Sequence, residues 1–162
     1  KILGGALQPE RGNIMFNTNI IGASQFSHLP GYDTIKHYEQ ADFIMMLQGI
    51  DLAGVGVNYD NDYVMVYNEK FLTLDRATQD FIFLHEVGHC QLGHVEQITT
   101  EEMTGRVLAF EYEADAYAAE FLGKGAVIKA LVKMADITCI EARVEIIFRA
   151  TRLFFAKKKQ VA

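Results

Sequence analysis

Cysteine is scarce in this chain of 162 residues: Cys90 and Cys139 are the only two. Two cysteines do not make a disulfide framework and nothing in their setting pairs them, so a reducing compartment, the cytoplasm, is the expected location. Proline (2) and glycine (13) are not in excess and half of the residues are hydrophobic, which excludes a disordered chain. No apolar run approaches the ~18 residues of a membrane span. The first residues, Lys1-Ile2-Leu3-Gly4-Gly5, carry neither a signal-peptide pattern nor an initiator Met, which fits a processed or trimmed form. Basic residues do not prevail either: the net charge is −6, so no nucleic-acid partner is expected. The one basic cluster, Lys157-Lys158-Lys159, reads as a solvated helix end favoured by the macrodipole. Repeats and dividing linkers are absent, and the length suits one domain over 1–162, with 1–53 unassigned and the core at 54–158.

What is there orders itself as strands followed by helices, hence α+β. Residues 1–31 are punctuated by Gly and Pro and predict turns, with a short strand near Asn19-Ile20-Ile21. Asp33 or Thr34 can cap a helix over about 34–48, with Ile35, Tyr38, Ala41, Met45 and Gln48 along one stripe. His28 and His37 read as ordinary histidines. Residues 54–59 and 63–67 look like strands around a tight turn at Asp60-Asn61-Asp62. Asp75 can cap a helix that ends near Gly93. Thr99-x-x-Glu102 is a capping box for a helix to about 122, closed by Gly123 and Gly125. A short helix at about 126–135 follows, and Thr138-x-x-Glu141 can cap the last one.

Within the first of these long helices lies His85-Glu86-Val87-Gly88-His89 in an apolar run. At ~3.6 residues per turn, His85 and His89 share a face one turn apart. Two imidazoles so placed can grip one zinc ion, with Glu86 within reach of a water beside it. A catalytic zinc takes a third protein ligand. The candidates are the acidic set Glu111, Glu113 and Asp115, and His94. His94 lies about 140° round the helix from His89 and points away unless the helix breaks at Gly93. Glu111 and Asp115 lie four apart on one face, so Glu111 can bind the metal while Asp115 accepts from a ligating imidazole. Glu113 lies about 200° from Glu111 and cannot face the same ion. A metzincin would need a third His at position 95, which is Val95.

At these residues the chain resembles the gluzincin metallopeptidases. It is most similar to the group of the CAAX-prenyl proteases, the bacterial stress-induced membrane proteases and the small soluble minigluzincins. The resemblance spans about 54–150 and rests on Tyr63-Val64-Met65-Val66-Tyr67, the approach to His85, and Glu111-x-x-Ala114-Asp115. It implies a small antiparallel or mixed sheet whose edge strand packs on an active-site helix and a glutamate helix. It also implies one zinc held by His85, His89 and Glu111, with Glu86 as general base and Asp115 supporting a ligand His. The edge strand is then Tyr63, Val64, Met65, Val66 and Tyr67, with a peptide or protein substrate laid antiparallel along it. Two departures stand out. The group's membrane helices are missing, and its His-Pro before a C-terminal Arg is absent. That leaves Arg143 and Tyr117 as candidates for the second oxyanion donor or substrate contact. The segment 113–122 is also similar to the ImmA/IrrE-like repressor-cleaving peptidases.

The function expected is a zinc endopeptidase. The alternatives are a non-catalytic domain that uses the same groove to bind a partner, and an enzyme held latent by its N-terminal segment.

Overall fold

The computed structural model of the protein describes residues 23–39, 52–57, 62–97 and 107–156. Strands β1 (Ile35–Glu39), β2 (Ala53–Val57) and β3 (Tyr63–Tyr67) come first. Helices α1 (Glu69–Thr73), α2 (Arg76–Gln91), α3 (His94–Gln97), α4 (Val107–Leu122), α5 (Lys124–Ile137) and α6 (Ile140–Phe155) follow. Short 3-10 turns occupy Ala23–Phe26 and Tyr32–Thr34. The fold is α+β, as its pattern predicts. The expected strand near Ile20, the turn at Asn61, the Thr99–Glu102 capping box and the Lys157–Lys159 cluster lie outside the described residues.

The sheet has the order β1-β3-β2. β3 runs parallel to β1, with Ile35 opposite Tyr63, and antiparallel to β2, with Val55 opposite Met65. Tyr63–Tyr67 is therefore the central strand, not the edge strand that the resemblance implies. Both of its sides are taken by neighbours, so its backbone is closed to a substrate. Its side chains give the reason. Val64, Met65, Val66 and Tyr67 are all buried, on both faces of the strand, and such a run belongs inside a sheet. Among the described residues, β1 and β2 are the outer strands, each with one side unpaired, and β2 is half-buried along its length.

The helix expected over 34–48 is a second correction. Ile35–Glu39 is a strand, and residues 40–48 lie outside the described ones. The apolar spacing there suits a helical stripe, but pairing with β3 satisfies the backbone instead. A short segment follows its tertiary partner rather than its local pattern.

Local signals read correctly at α2. Asp75 is its N-cap and accepts from the Thr78 backbone N–H at 3.3 Å. The same carboxylate pairs with Lys133 at 2.8 Å, which ties α2 to α5. Gln79 donates to the carbonyls of Phe71 (3.0 Å) and Leu72 (3.1 Å) at the end of α1. Gly123, at φ 82°, separates α4 from α5, but Gly125 lies inside α5. Cys139 rather than Thr138 is the N-cap of α6, with no side-chain bond.

The core is built to fix α2. Phe81, Phe83, Leu84 and Val87 are buried, and Phe26 stacks on Phe83 with centroids 4.7 Å apart. Each such side chain contributes about 1.5–3 kcal/mol on burial. On its other side α2 meets α4 at Gly88. A Cβ there would stand 3.2 Å from the Ala114 Cα and 3.2 Å from the Tyr117 Cβ. The glycine inside the His-Glu-x-x-His run thus lets α4 approach closely enough to deliver its carboxylates. Both cysteines are free, Cys90 buried and Cys139 exposed. Among the described residues, no helix is long and apolar enough to cross a membrane.

Candidate metal centre

His85 and His89 leave the buried face of α2 one turn apart, 7% and 2% exposed. Their Nε2 atoms lie 3.1 Å from each other. Glu111, from α4, meets both: Oε2 is 3.2 Å from His85 Nε2 and Oε1 is 3.5 Å from His89 Nε2. One ligand atom from each of the three residues lies within 4.8 Å of the others. Two nitrogens bound at ~2.0–2.1 Å to one tetrahedral zinc would stand roughly 3.3 Å apart, so the spacing fits. Two nitrogen lone pairs at 3.1 Å also need a cation or a proton between them.

Behind the three lies a charge arrangement not foreseen from the sequence. Arg149 of α6 is buried and reaches both carboxylates. Its Nη1 is 2.7 Å from Glu111 Oε2. Its Nη2 donates to Asp115 Oδ1 at 2.6 Å and its Nε to Asp115 Oδ2 at 2.9 Å, a two-pronged grip. Asp115 Oδ1 also accepts from His85 Nδ1–H at 3.0 Å. Two carboxylates face one guanidinium, so the buried pocket calls for one further positive charge, a proton on His85 or a metal ion.

The acid–base properties follow. Burial and the Arg149 charge push His85 down, but Glu111 and Asp115 outweigh them, and its pKa is raised to about 9. Burial, then the neighbouring His85 charge, lowers His89 to about 3. Burial acts to raise both Glu111 and Asp115. The charge and hydrogen bond of His85, with Arg149, hold Glu111 well below the usual carboxylate range. Hydrogen bonds from Arg149 and His85 do the same for Asp115. Glu86 goes the other way. Burial pushes it up to about 7, although the His85 charge and a hydrogen bond from the Val55 backbone N–H act against this. β2 packs against the helix that carries Glu86.

His94 is brought inward by a helix break. Gly93 takes φ 69° between α2 and α3, the left-handed conformation that favours glycine. The break puts His94 behind His89, with Nδ1 3.2 Å from His89 Nδ1 and Nε2 3.0 Å from Glu113 Oε2. Neither His94 nor Glu113 belongs to the ligand cluster.

The two candidates for an oxyanion donor fare differently from Arg149. Arg143 is exposed and its Nε donates to the Ala135 carbonyl at 2.7 Å, closing the end of α5 rather than entering the site. Tyr117 packs on Gly88 and against Phe121, about 200° round α4 from Asp115. One signal for Arg149 exists in the sequence. It lies in line with Ile146, Ala150 and Leu153, and a charge on an apolar stripe asks for a buried partner. However, α6 also exposes Ile140, Val144, Ile147 and Phe148, so its inner face cannot be picked out by periodicity.

An apolar helix bearing His85 and His89, met by a carboxylate helix across a glycine contact, defines a candidate metal-binding hydrolytic centre. The family model described as Peptidase U49 matches residues 57–160, and the chain belongs to that family. No curated protein and no solved structure matches it. Membership supports proteolysis, a hydrolase activity on protein substrates.

Proposed function

We propose that the protein is a zinc-dependent endopeptidase of gluzincin type, with one zinc per chain held by His85, His89 and Glu111. The observation that carries this reading is the convergence of His85, His89 and Glu111 ligand atoms within 4.8 Å, the two histidines on the helix that also bears Glu86 and the glutamate on α4. Zinc bound there would supply a water of lowered pKa and polarise the scissile carbonyl. Glu86 takes a proton from the attacking water on its carboxylate and passes it to the leaving amine. A base poised near neutrality suits that exchange, and a nearby cation keeps the carboxylate ionised. Asp115, gripped by Arg149, holds the proton on His85 Nδ1 and so leaves Nε2 free to ligate. The peptide is laid as an added strand along the unpaired side of β2, which packs against the helix that carries Glu86.

The test combines metal analysis with cleavage of a peptide library. The expected result is about one zinc per chain, with metal and activity both removed by a chelator. Glu86→Gln should keep the zinc and lose cleavage by about 100-fold or more, since it removes the base but no ligand. Cleavage by a metal-free preparation would overturn the metal assignment. Near wild-type cleavage by Glu86→Gln would overturn the role of Glu86.

A further inference from the structure

His94 and Glu113 lie off the metal, yet His94 is 1% exposed with both ring nitrogens engaged. Its ring stacks on Phe110 at 4.1 Å and 15°, so it has one orientation. A neutral imidazole carries one proton, and a carboxylate can only accept. The nitrogen facing Glu113 must therefore hold the proton: His94 Nε2–H donates to Glu113 Oε2 at 3.0 Å. His94 Nδ1 is then an acceptor, and what faces it at 3.2 Å is His89 Nδ1. That contact is a hydrogen bond only if His89 carries its proton on Nδ1. His89 Nε2 is then a bare lone pair, aimed at His85 Nε2 and Glu111. The opposite setting sets lone pair against lone pair at Glu113 and blocks the ligating nitrogen of His89 with a proton.

We propose that Glu113 and His94 form a two-step hydrogen-bond relay that fixes the His89 tautomer and points its Nε2 at the metal. The inference rests on the zinc reading above and adds positioning residues to it. His94 acts through His89, and Glu113 acts through His94. Glu113 has a side chain 60% exposed, so its share is smaller and solvent partly replaces it.

The test titrates the whole chain with zinc alone and compares variants. His94→Phe keeps a ring on Phe110 and removes the acceptor; zinc affinity should fall about 10–100-fold. Glu113→Ala, at the surface and harmless to folding, should cost roughly threefold to tenfold, below that range. His94→Asn places an amide oxygen near the lost Nδ1 and should restore most of the affinity. In that background Glu113→Ala should cost nothing further, because the asparagine no longer needs it to set a tautomer. Nitrogen-15 spectra of the histidines in metal-free protein should show Nε2–H on His94 and Nδ1–H on His89, with the preference weakened in Glu113→Ala. A merely structural His94 would produce neither the rescue nor the tautomer pattern. If wild type binds zinc and Asp115→Asn weakens it, but His94→Phe and Glu113→Ala bind as wild type does, the relay is wrong and the zinc reading stands. If wild type binds no zinc at all, both fall.

Discussion

His85 and His89 leave α2 one turn apart, but their Nδ1 atoms end in different surroundings. Behind His85 stand Asp115 and Arg149, both nearly sealed from water, with bonds of 2.6–3.0 Å. Behind His89 stands the His94 ring, and the nearest carboxylate beyond it, Glu113, reaches solvent. One arm uses buried charge and the other uses a stacked ring. Buried charge holds geometry tightly, but removing one member strands the others. A relay whose only carboxylate lies at the surface loses little when its outer end is cut. The same task, presenting a bare Nε2, is met by two arrangements with different vulnerabilities.

Removing the point where the arms meet should have the largest effect. Glu111→Ala should lose most zinc affinity, well beyond the about 100-fold that a lost supporting bond costs, as read by metal titration. Unchanged binding in that variant would end the comparison by removing the metal from it.

Next comes the charged arm at its root. Arg149→Met leaves Asp115 and Glu111 buried without their cation. Metal-free protein should lose about 3–5 kcal/mol of stability in denaturant unfolding. Added zinc should recover part of this, because the ion binds only the folded state. A loss below ~1 kcal/mol would show that water, not Arg149, balances the carboxylates.

Asp115→Asn should be milder, weakening zinc by about 10–100-fold while the metal still binds. The outer end of the other arm should matter least, with Glu113→Ala below about tenfold in zinc affinity and within ~0.5 kcal/mol in stability. If the two variants prove equal, the contrast between buried and solvent-reaching arms does not hold.

How much of this was legible depends on the distance over which each feature is encoded. Each end of α2 is set by a residue within a few positions of it, so Asp75 and Gly93 could be read directly. His85, Glu86, His89, Glu111 and Asp115 could be read as candidates because each group repeats at helical spacing. The strand–helix order could be read for the same reason. Arg149 could not, since it lies 34 residues from Asp115 and 64 from His85, on a helix with large apolar side chains on its exposed face as well as its buried one. The helical angle of His94 pointed away from the metal, and only the turn at Gly93 brought it back behind His89.

The sequence by itself determined the α+β order, the helix that carries the motif, and which side chains could ligate. Helical periodicity sets these locally, and composition bounds the rest. Tertiary structure decided which strand is enclosed, because β3 pairs on both sides only once β1 and β2 are in place. It decided Arg149 over Arg143, because the inner face of α6 is chosen by packing against its neighbours. It also decided the place of His94, because a left-handed glycine reorients the chain in a way that no helical wheel records. Hydrogen-bond partners far apart in the chain meet only after the core has closed, and for that reason the proton positions in this site belong to the fold.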